Sequence, residues 1–153
     1  MPLSSVAVRV LRVRVPSEEE GNEAHLVGLL ARVHQVRSVI LAKNDRITDV
    51  SIQAIAEHCP ALTSLNVRAC PNLTDVSIEA IAEPCPHLIH LDVRGCRNLT
   101  DAAIIEVANK CPMLAMLYDR GGNHLTDAPS KELANKTPNL AQQEDRPGRG
   151  LAA

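Results

Sequence analysis

The strongest constraint on this chain is a fixed period. Thr48-Asp49, Ile52, Ile55, Ala56, Cys59-Pro60, Leu62, Leu65, Val67 and Cys70 return 26 positions later as Thr74-Asp75, Ile78, Ile81, Ala82, Cys85-Pro86, Leu88, Leu91, Val93 and Cys96. A further 26 positions on stand Thr100-Asp101, Ile104, Val107, Ala108, Cys111-Pro112, Leu114 and Leu117, after which Gly122 replaces the cysteine. Self-similarity at this period marks a stack of small units, each unable to bury its apolar face without its neighbours.

Each unit reads as a helix followed by a strand. Thr-Asp supplies a capping hydroxyl and an acid for the first turn. Ile52/Ile55/Ala56, Ile78/Ile81/Ala82 and Ile104/Val107/Ala108 recur at helical spacing. The Cys-Pro step ends the helix, since a residue before proline is disfavoured in helical conformation. Strands follow at Leu62–Val67, Leu88–Val93 and Leu114–Tyr118.

Looser copies flank these units. Val10, Val13 and Val15 take the spacing of Leu62, Leu65 and Val67 two periods upstream, with Arg12 and Arg14 on the opposite face. That alternation reads as an edge strand, guarded by charge and Pro16, rather than as a targeting segment. Asn22-Glu23 stands where Thr-Asp stands later; Leu26, Leu29, Leu30 and Val33 form a helix, and Val36, Val39 and Leu41 the second strand. The last unit keeps Thr126-Asp127, Leu133, Ala134, Pro138 and Leu140, but Ser130 and Thr137 are polar, as in a terminal cap. The fold expected is α/β: a right-handed solenoid of about five βα units with a parallel sheet on its concave face. Residues 1–140 form the array, and 141–153, rich in polar residues, Pro and Gly, a disordered tail.

Composition narrows the function classes. There is no Phe or Trp, and Tyr118 is the sole Tyr, so Leu, Ile, Val and Ala must build the core. A formal charge of −2 argues against a nucleic-acid or membrane-surface binder, and no stretch is apolar enough for a membrane span. The five cysteines fall on the repeat period, not in close pairs. They read as buried thiols of a reducing compartment, cytoplasm or nucleus, and not as a metal site. No cofactor is expected.

The unit Cys-Pro-x-Leu-x-x-Leu-x-Val-x-x-Cys-x-x-Leu-Thr-Asp-x-x-Ile-x-x-Ile-Ala resembles the cysteine-containing class of leucine-rich repeat, closely over Thr48 to Leu117 and loosely over Val10 to Leu140. The resemblance implies that the leucines with Val67 and Val93 fill a solenoid core. It also implies that Cys70, Cys96 and, by analogy, Asn44 hold the strand-to-loop turn through backbone hydrogen bonds. Such repeats are similar to those that follow an F-box in substrate receptors of cullin-based ubiquitin ligases. This implies a non-catalytic protein-interaction module for substrate recognition or scaffolding. The residues ahead of the second strand are read as part of the array, so no separate F-box segment is expected in this sequence.

Residues between the core positions of the strands face the open side of the sheet in three columns: Ser38, Ser64, His90 and Met116; Ile40, Asn66, Asp92 and Tyr118; Ala42, Arg68, Arg94 and Arg120. Strands about 4.8 Å apart would make the arginines a ladder. At roughly 5 Å two such charges repel by about 0.8 kcal/mol in water, a cost tolerable without any binding role. The ladder is therefore either a solvated one, partly neutralised by Asp92 and Asp119, or a contact strip for an acidic or phosphorylated protein. Tyr118 beside Met116 and Arg120 has the composition of a binding hot spot. The partner-binding set is Arg68, His90, Asp92, Arg94, Met116, Tyr118 and Arg120. An alternative is a receptor for a small, inositol phosphate-like anion on Arg68, Arg94 and Arg120.

Catalysis finds little support. His87 and His90 fall on opposite faces, the other histidines are scattered, and no motif sets a nucleophile beside a base. Finally, Val10–Val15 has no earlier helix over it, which opens self-association through that strand.

Overall fold

The computed structural model describes residues 10–12, 23–33 and 35–119. Within them strand and helix alternate: β1 (Val10–Arg12), α1 (Glu23–Leu30), β2 (Ser38–Ile40), α2 (Asp49–His58), β3 (Ser64–Asn66), α3 (Asp75–Ala82), β4 (His90–Asp92), α4 (Asp101–Lys110) and β5 (Met116–Tyr118). The strands pair in chain order, and every pair is parallel. Each helix carries the chain back to the start of the next strand and packs on the helix of the adjoining repeat. A single core lies between sheet and helices. This is an α/β solenoid of the expected kind.

The leucine spacing explains the core. Val39, Leu65, Leu91 and Leu117 stand opposite one another on successive strands, and all are buried. Ile52 and Ile55, Ile78 and Ile81, and Ile104 and Val107 close the layer from the helix side with no more than 1% exposure. Removing one such side chain from water is worth about 1.5–3 kcal/mol. The strands are shorter than the apolar spacing predicts. Leu62, Leu88 and Leu114 are buried but lie in tight turns, where their N–H groups donate to the carbonyls of Cys59, Cys85 and Cys111 at 3.1, 3.3 and 3.1 Å. Past the strands, Val67 and Val93 still donate to the next repeat, to Asp92 and Tyr118 carbonyls at 2.9 and 2.8 Å. The apolar stretch is core throughout, but only its middle is straight.

The first strand departs from the expected register. Val10 pairs with Ser38 and Leu11 with Val39, an offset of 38 − 10 = 28 rather than 26. Val8, Leu11 and Val13 satisfy the same spacing as Val10, Val13 and Val15, and a short strand of alternating valine and arginine specifies register weakly. Leu11 therefore stands opposite Val39, and Val10 is 51% exposed. Val13, Val15, the unit from Thr126 and the tail from 141 lie outside the described residues.

The helix boundaries follow the capping chemistry in two units and depart from it in the third. Thr48 and Thr74 accept from the N–H groups of Val50 and Val76, each at 3.3 Å. Thr100 sits in the same extended conformation without a side-chain cap bond. Cys59 and Cys111, each before a proline, leave helical geometry at φ/ψ of −125/61 and −116/80. α3 stops earlier, at Ala82, because Pro84 has no N–H to continue the ladder.

The acids after those threonines do more than complement a helix dipole. Asp49 accepts from the Thr74 N–H at 2.8 Å, from the Thr74 hydroxyl at 2.5 Å and from the Ser77 hydroxyl. Asp75 accepts from the Thr100 N–H at 2.7 Å and from the Thr100 hydroxyl. Each carboxylate thus ties the start of one helix to the start of the next. Burial opposes the charge on Asp49, but the bonds from Ser77 and Thr74 outweigh it and hold its pKa below the ordinary 3.8.

The cysteines also act between repeats. The Cys70 thiol donates to the Leu41 carbonyl at 3.1 Å, and the Cys96 thiol to the Val67 carbonyl at 3.0 Å. Cys85 and Cys111 donate to the carbonyls of Cys59 and Cys85, both at 3.4 Å. All five thiols are free and buried; burial pushes Cys70 and Cys85 up to about 12 and Cys59 and Cys111 up to about 11. Such thiols are poor nucleophiles. Asn44 performs the turn role differently: its Oδ1 accepts from the N–H groups of Arg46 and Ile47 at 2.9 and 3.2 Å.

Two outcomes follow for stability. Leu91→Ala opens a cavity in the middle of the stack and should cost about 2–5 kcal/mol in urea unfolding; a parent-like midpoint would show that Leu91 is not core. Because the folded pKa of Asp49 is depressed, its stabilisation is present above pH 3.8 and lost as pH falls through the folded value. Asp49→Asn should therefore lower stability near neutrality and flatten the acid limb of a pH–stability curve. An acid limb parallel to that of the parent would exclude this role for Asp49.

Candidate functional site

Because the strands are in register, side chains on the open face meet across repeats. Ser64, His90 and Met116 share one row, and Asn66, Asp92 and Tyr118 the next. Asp92 lies on that open face yet is only 2% exposed. Arg94 covers it with a fork: Nε donates to Oδ1 at 2.9 Å and Nη2 to Oδ2 at 2.5 Å, while the Arg94 backbone N–H reaches Oδ1 at 3.2 Å. The guanidinium carbon stands 4.8 Å from the centroid of the Tyr118 ring. The His90 ring meets the same tyrosine edge-on at 5.5 Å, and its Nδ1 shares a hydrogen bond with Ser64 Oγ at 3.0 Å. Ser64, His90, Tyr118, Arg94 and Asp92 form one connected patch.

The electrostatics follow from these contacts. The hydrogen bonds to Asp92 raise the Arg94 pKa further, so its charge is permanent. Burial lowers the His90 pKa below 6.5, the nearby Asp92 opposes that shift, and Arg94 reinforces it. His90 is therefore neutral near pH 7 and one ring nitrogen accepts or donates according to tautomer.

The proposed arginine ladder is uneven. Arg68 and Arg94 occupy successive repeats, but only Arg94 faces a carboxylate; Asn66 stands where Asp92 would be, and its Oδ1 accepts from the Arg68 backbone N–H at 3.1 Å. Arg68 is exposed. Met116 is 40% exposed at the end of the first row. Arg120 lies outside the described residues. Sequence reasoning missed the Ser64–His90 bond, although both residues stood in one column. The expected partial neutralisation by Asp92 is met at Arg94.

The Ser64–His90 pair does not extend into a catalytic arrangement. The Asp92 carboxylate is taken by Arg94, and the Ser64 and His90 backbone N–H groups donate to the Arg37 and Thr63 carbonyls, each at 3.0 Å. The strand therefore offers no free donor at those positions for a developing oxyanion. Among the described residues no group of three His, Cys, Asp or Glu side chains is placed to hold a metal ion. No described helix is long and apolar enough to cross a membrane.

Comparison with known proteins agrees with this geometry. The family model described as Leucine Rich repeat matches residues 58–82 and 85–108. A chain from the crystal structure of the Rad7 and Elc1 complex in yeast matches 78% of this chain with a TM-score of 0.63 and 23% identity. This chain spans 31% of the length of that one. The tropomodulin C-terminal domain from Caenorhabditis elegans matches with a TM-score of 0.63 and 13% identity, covering 99% of this chain and 95% of the domain. At these identities the likeness is one of fold. No curated protein matches the sequence.

The patch can be read in solution. The His90 imidazole should titrate below 6.5 by NMR, and Asp92→Asn, which removes the opposing charge and frees Arg94, should lower it again. A His90 pKa at or above 6.5 would show that the ring is not packed as described.

Proposed function

We propose, from the leucine-rich repeats it carries, that this chain is a non-catalytic module whose open sheet face binds a protein partner. The observation that carries this reading is the connected patch around Tyr118. Its aromatic ring, guanidinium and imidazole hold one another before any partner arrives, so docking immobilises few side chains. Tyr, Met and Arg are the residue types enriched where interfaces bind tightly, and Met116 is left 40% exposed at its margin. The sequence resemblance to repeats that follow an F-box supports substrate recognition or scaffolding within a ubiquitin-ligase system. The five buried free thiols support work in the cytoplasm or nucleus.

The small-anion alternative is the weaker reading. Of the described arginines on the strip, Arg94 already spends Nε and Nη2 on Asp92, which leaves Arg68 as the exposed one for a phosphate. Recruiting Arg94 as well would compete with its fork to the buried Asp92 carboxylate.

Affinity capture from the native cell separates the readings. The double variant Met116→Asp/Tyr118→Ala should lose the proteins retained by the parent, while Val76→Asp, at a position 48% exposed on α3, should keep them. Identical captured sets for parent and double variant would overturn the binding-face reading. A thermal shift with inositol hexakisphosphate that disappears in Arg68→Glu would establish the small-anion receptor instead.

A further inference from the structure

The loops after β2, β3 and β4 carry an excess of positive charge that the open-face reading leaves unused. Across residues 42–48, 68–74 and 94–100 the exposed charged residues are Lys43, Arg46, Arg68 and Arg97 against Asp45 alone. The remaining charged residue, Arg94, is paired with Asp92. This concentration stands out in a chain whose formal net charge is −2. Among the described residues, Lys43, Arg68 and Arg97 enter no ion pair.

Those loops are held in place. The Lys43 N–H donates to the Arg68 carbonyl and the Ala69 N–H to the Arg94 carbonyl, both at 2.7 Å. Asn72 Nδ2 donates to the Asp45 carbonyl, and Asn98 Nδ2 to the Pro71 carbonyl at 3.0 Å. A parallel bridge joins Thr74 to Asn98. Lys43 and Ala69 hold left-handed backbone at φ 61 and 56, a conformation costly outside glycine and kept only where surroundings enforce it. The loops that carry these cations are therefore stitched into one rim, although Lys43, Arg68 and Arg97 stand at different positions of their repeats.

We propose that this rim is a second contact surface, adjoining the Tyr118 patch, for an acidic segment of the protein partner. The proposal rests on the protein-binding reading above and names the partner's chemistry. A short segment with two or three Asp or Glu residues complements this charge. Carboxylates find here the arginine that Asp92 does not occupy. A nucleic acid fits less well: residues 42–48, 68–74 and 94–100 contain no aromatic side chain for base stacking, and the net charge opposes a long polyanion.

The test uses the full chain with three fluorescein-labelled probes: a short Asp/Glu-rich peptide, its Asn/Gln counterpart, and a single-stranded oligonucleotide. The acidic peptide should bind, weaken with added salt, and lose about tenfold or more in affinity in Lys43→Glu/Arg68→Glu/Arg97→Glu, because opposed surface charges govern such encounters. The neutral peptide should not bind. A circular-dichroism melt within a few degrees of the parent verifies the fold of the variant, and Arg68→Gln alone gives a milder second reading. Equal binding of both peptides, no binding of the acidic one, or indifference to the charge reversal would overturn the proposal; tighter binding of the oligonucleotide would assign the rim to nucleic acid. The two readings fail separately. If cellular partners are lost in Met116→Asp/Tyr118→Ala but kept in the rim variant, the module stands and the rim does not serve it.

Discussion

Everything in this molecule depends on the inability of one repeat to bury itself. A unit of 26 residues with a three-residue strand and a short helix has apolar surface on both elements and no second layer of its own. Leu65 has Val39 and Leu91 on either side of it, and Leu91 has Leu65 and Leu117. Stability in such a stack is carried by interfaces between neighbours as much as by the units. That explains why the side-chain hydrogen bonds run between repeats: Asp49 to Thr74, Asp75 to Thr100, Cys70 to Leu41, Cys96 to Val67.

The same constraint shapes the open face. Parallel strands in register stack like positions of successive repeats about 5 Å apart, so any change in one repeat is read by its neighbours. Where the row carries Asn66, the arginine two residues on is exposed; where it carries Asp92, the arginine folds back over the acid and the tyrosine of the next repeat packs beside it. One substitution within an otherwise repeated frame thus divides the face into a cationic part and an aromatic part. A regular scaffold with irregular face residues is what lets a repeat protein acquire a specific partner without altering its core.

The period, the core leucines, the helix stripes and the parallel strand order were legible in the sequence, because each rests on local spacing repeated several times. The first two open-face columns, from β2 to β5, were legible for the same reason. Register of the first strand was not: Val8–Val13 and Val10–Val15 carry the same spacing, and only pairing against β2 chose between them. The early end of α3 was visible in Pro84 but was masked by the stronger Cys-Pro signal that follows it.

What the sequence determined by itself is therefore the fold and the two rows of face residues that the strands pair, since periodicity states which positions must be alike. What only the tertiary structure decided is how those residues are used. The Thr-Asp pairs read as local caps, yet their acids bridge separate helices, a contact 25 positions apart in the chain. The arginines read as a ladder partly neutralised by Asp92 and Asp119, and only the structure forks Arg94 onto Asp92 and packs it on Tyr118 while Arg68 is left exposed. Ser64 and His90 stood in one column without any sign that they would bond. Charge pairing depends on side-chain reach and burial across repeats, and spacing along the chain carries no information about either.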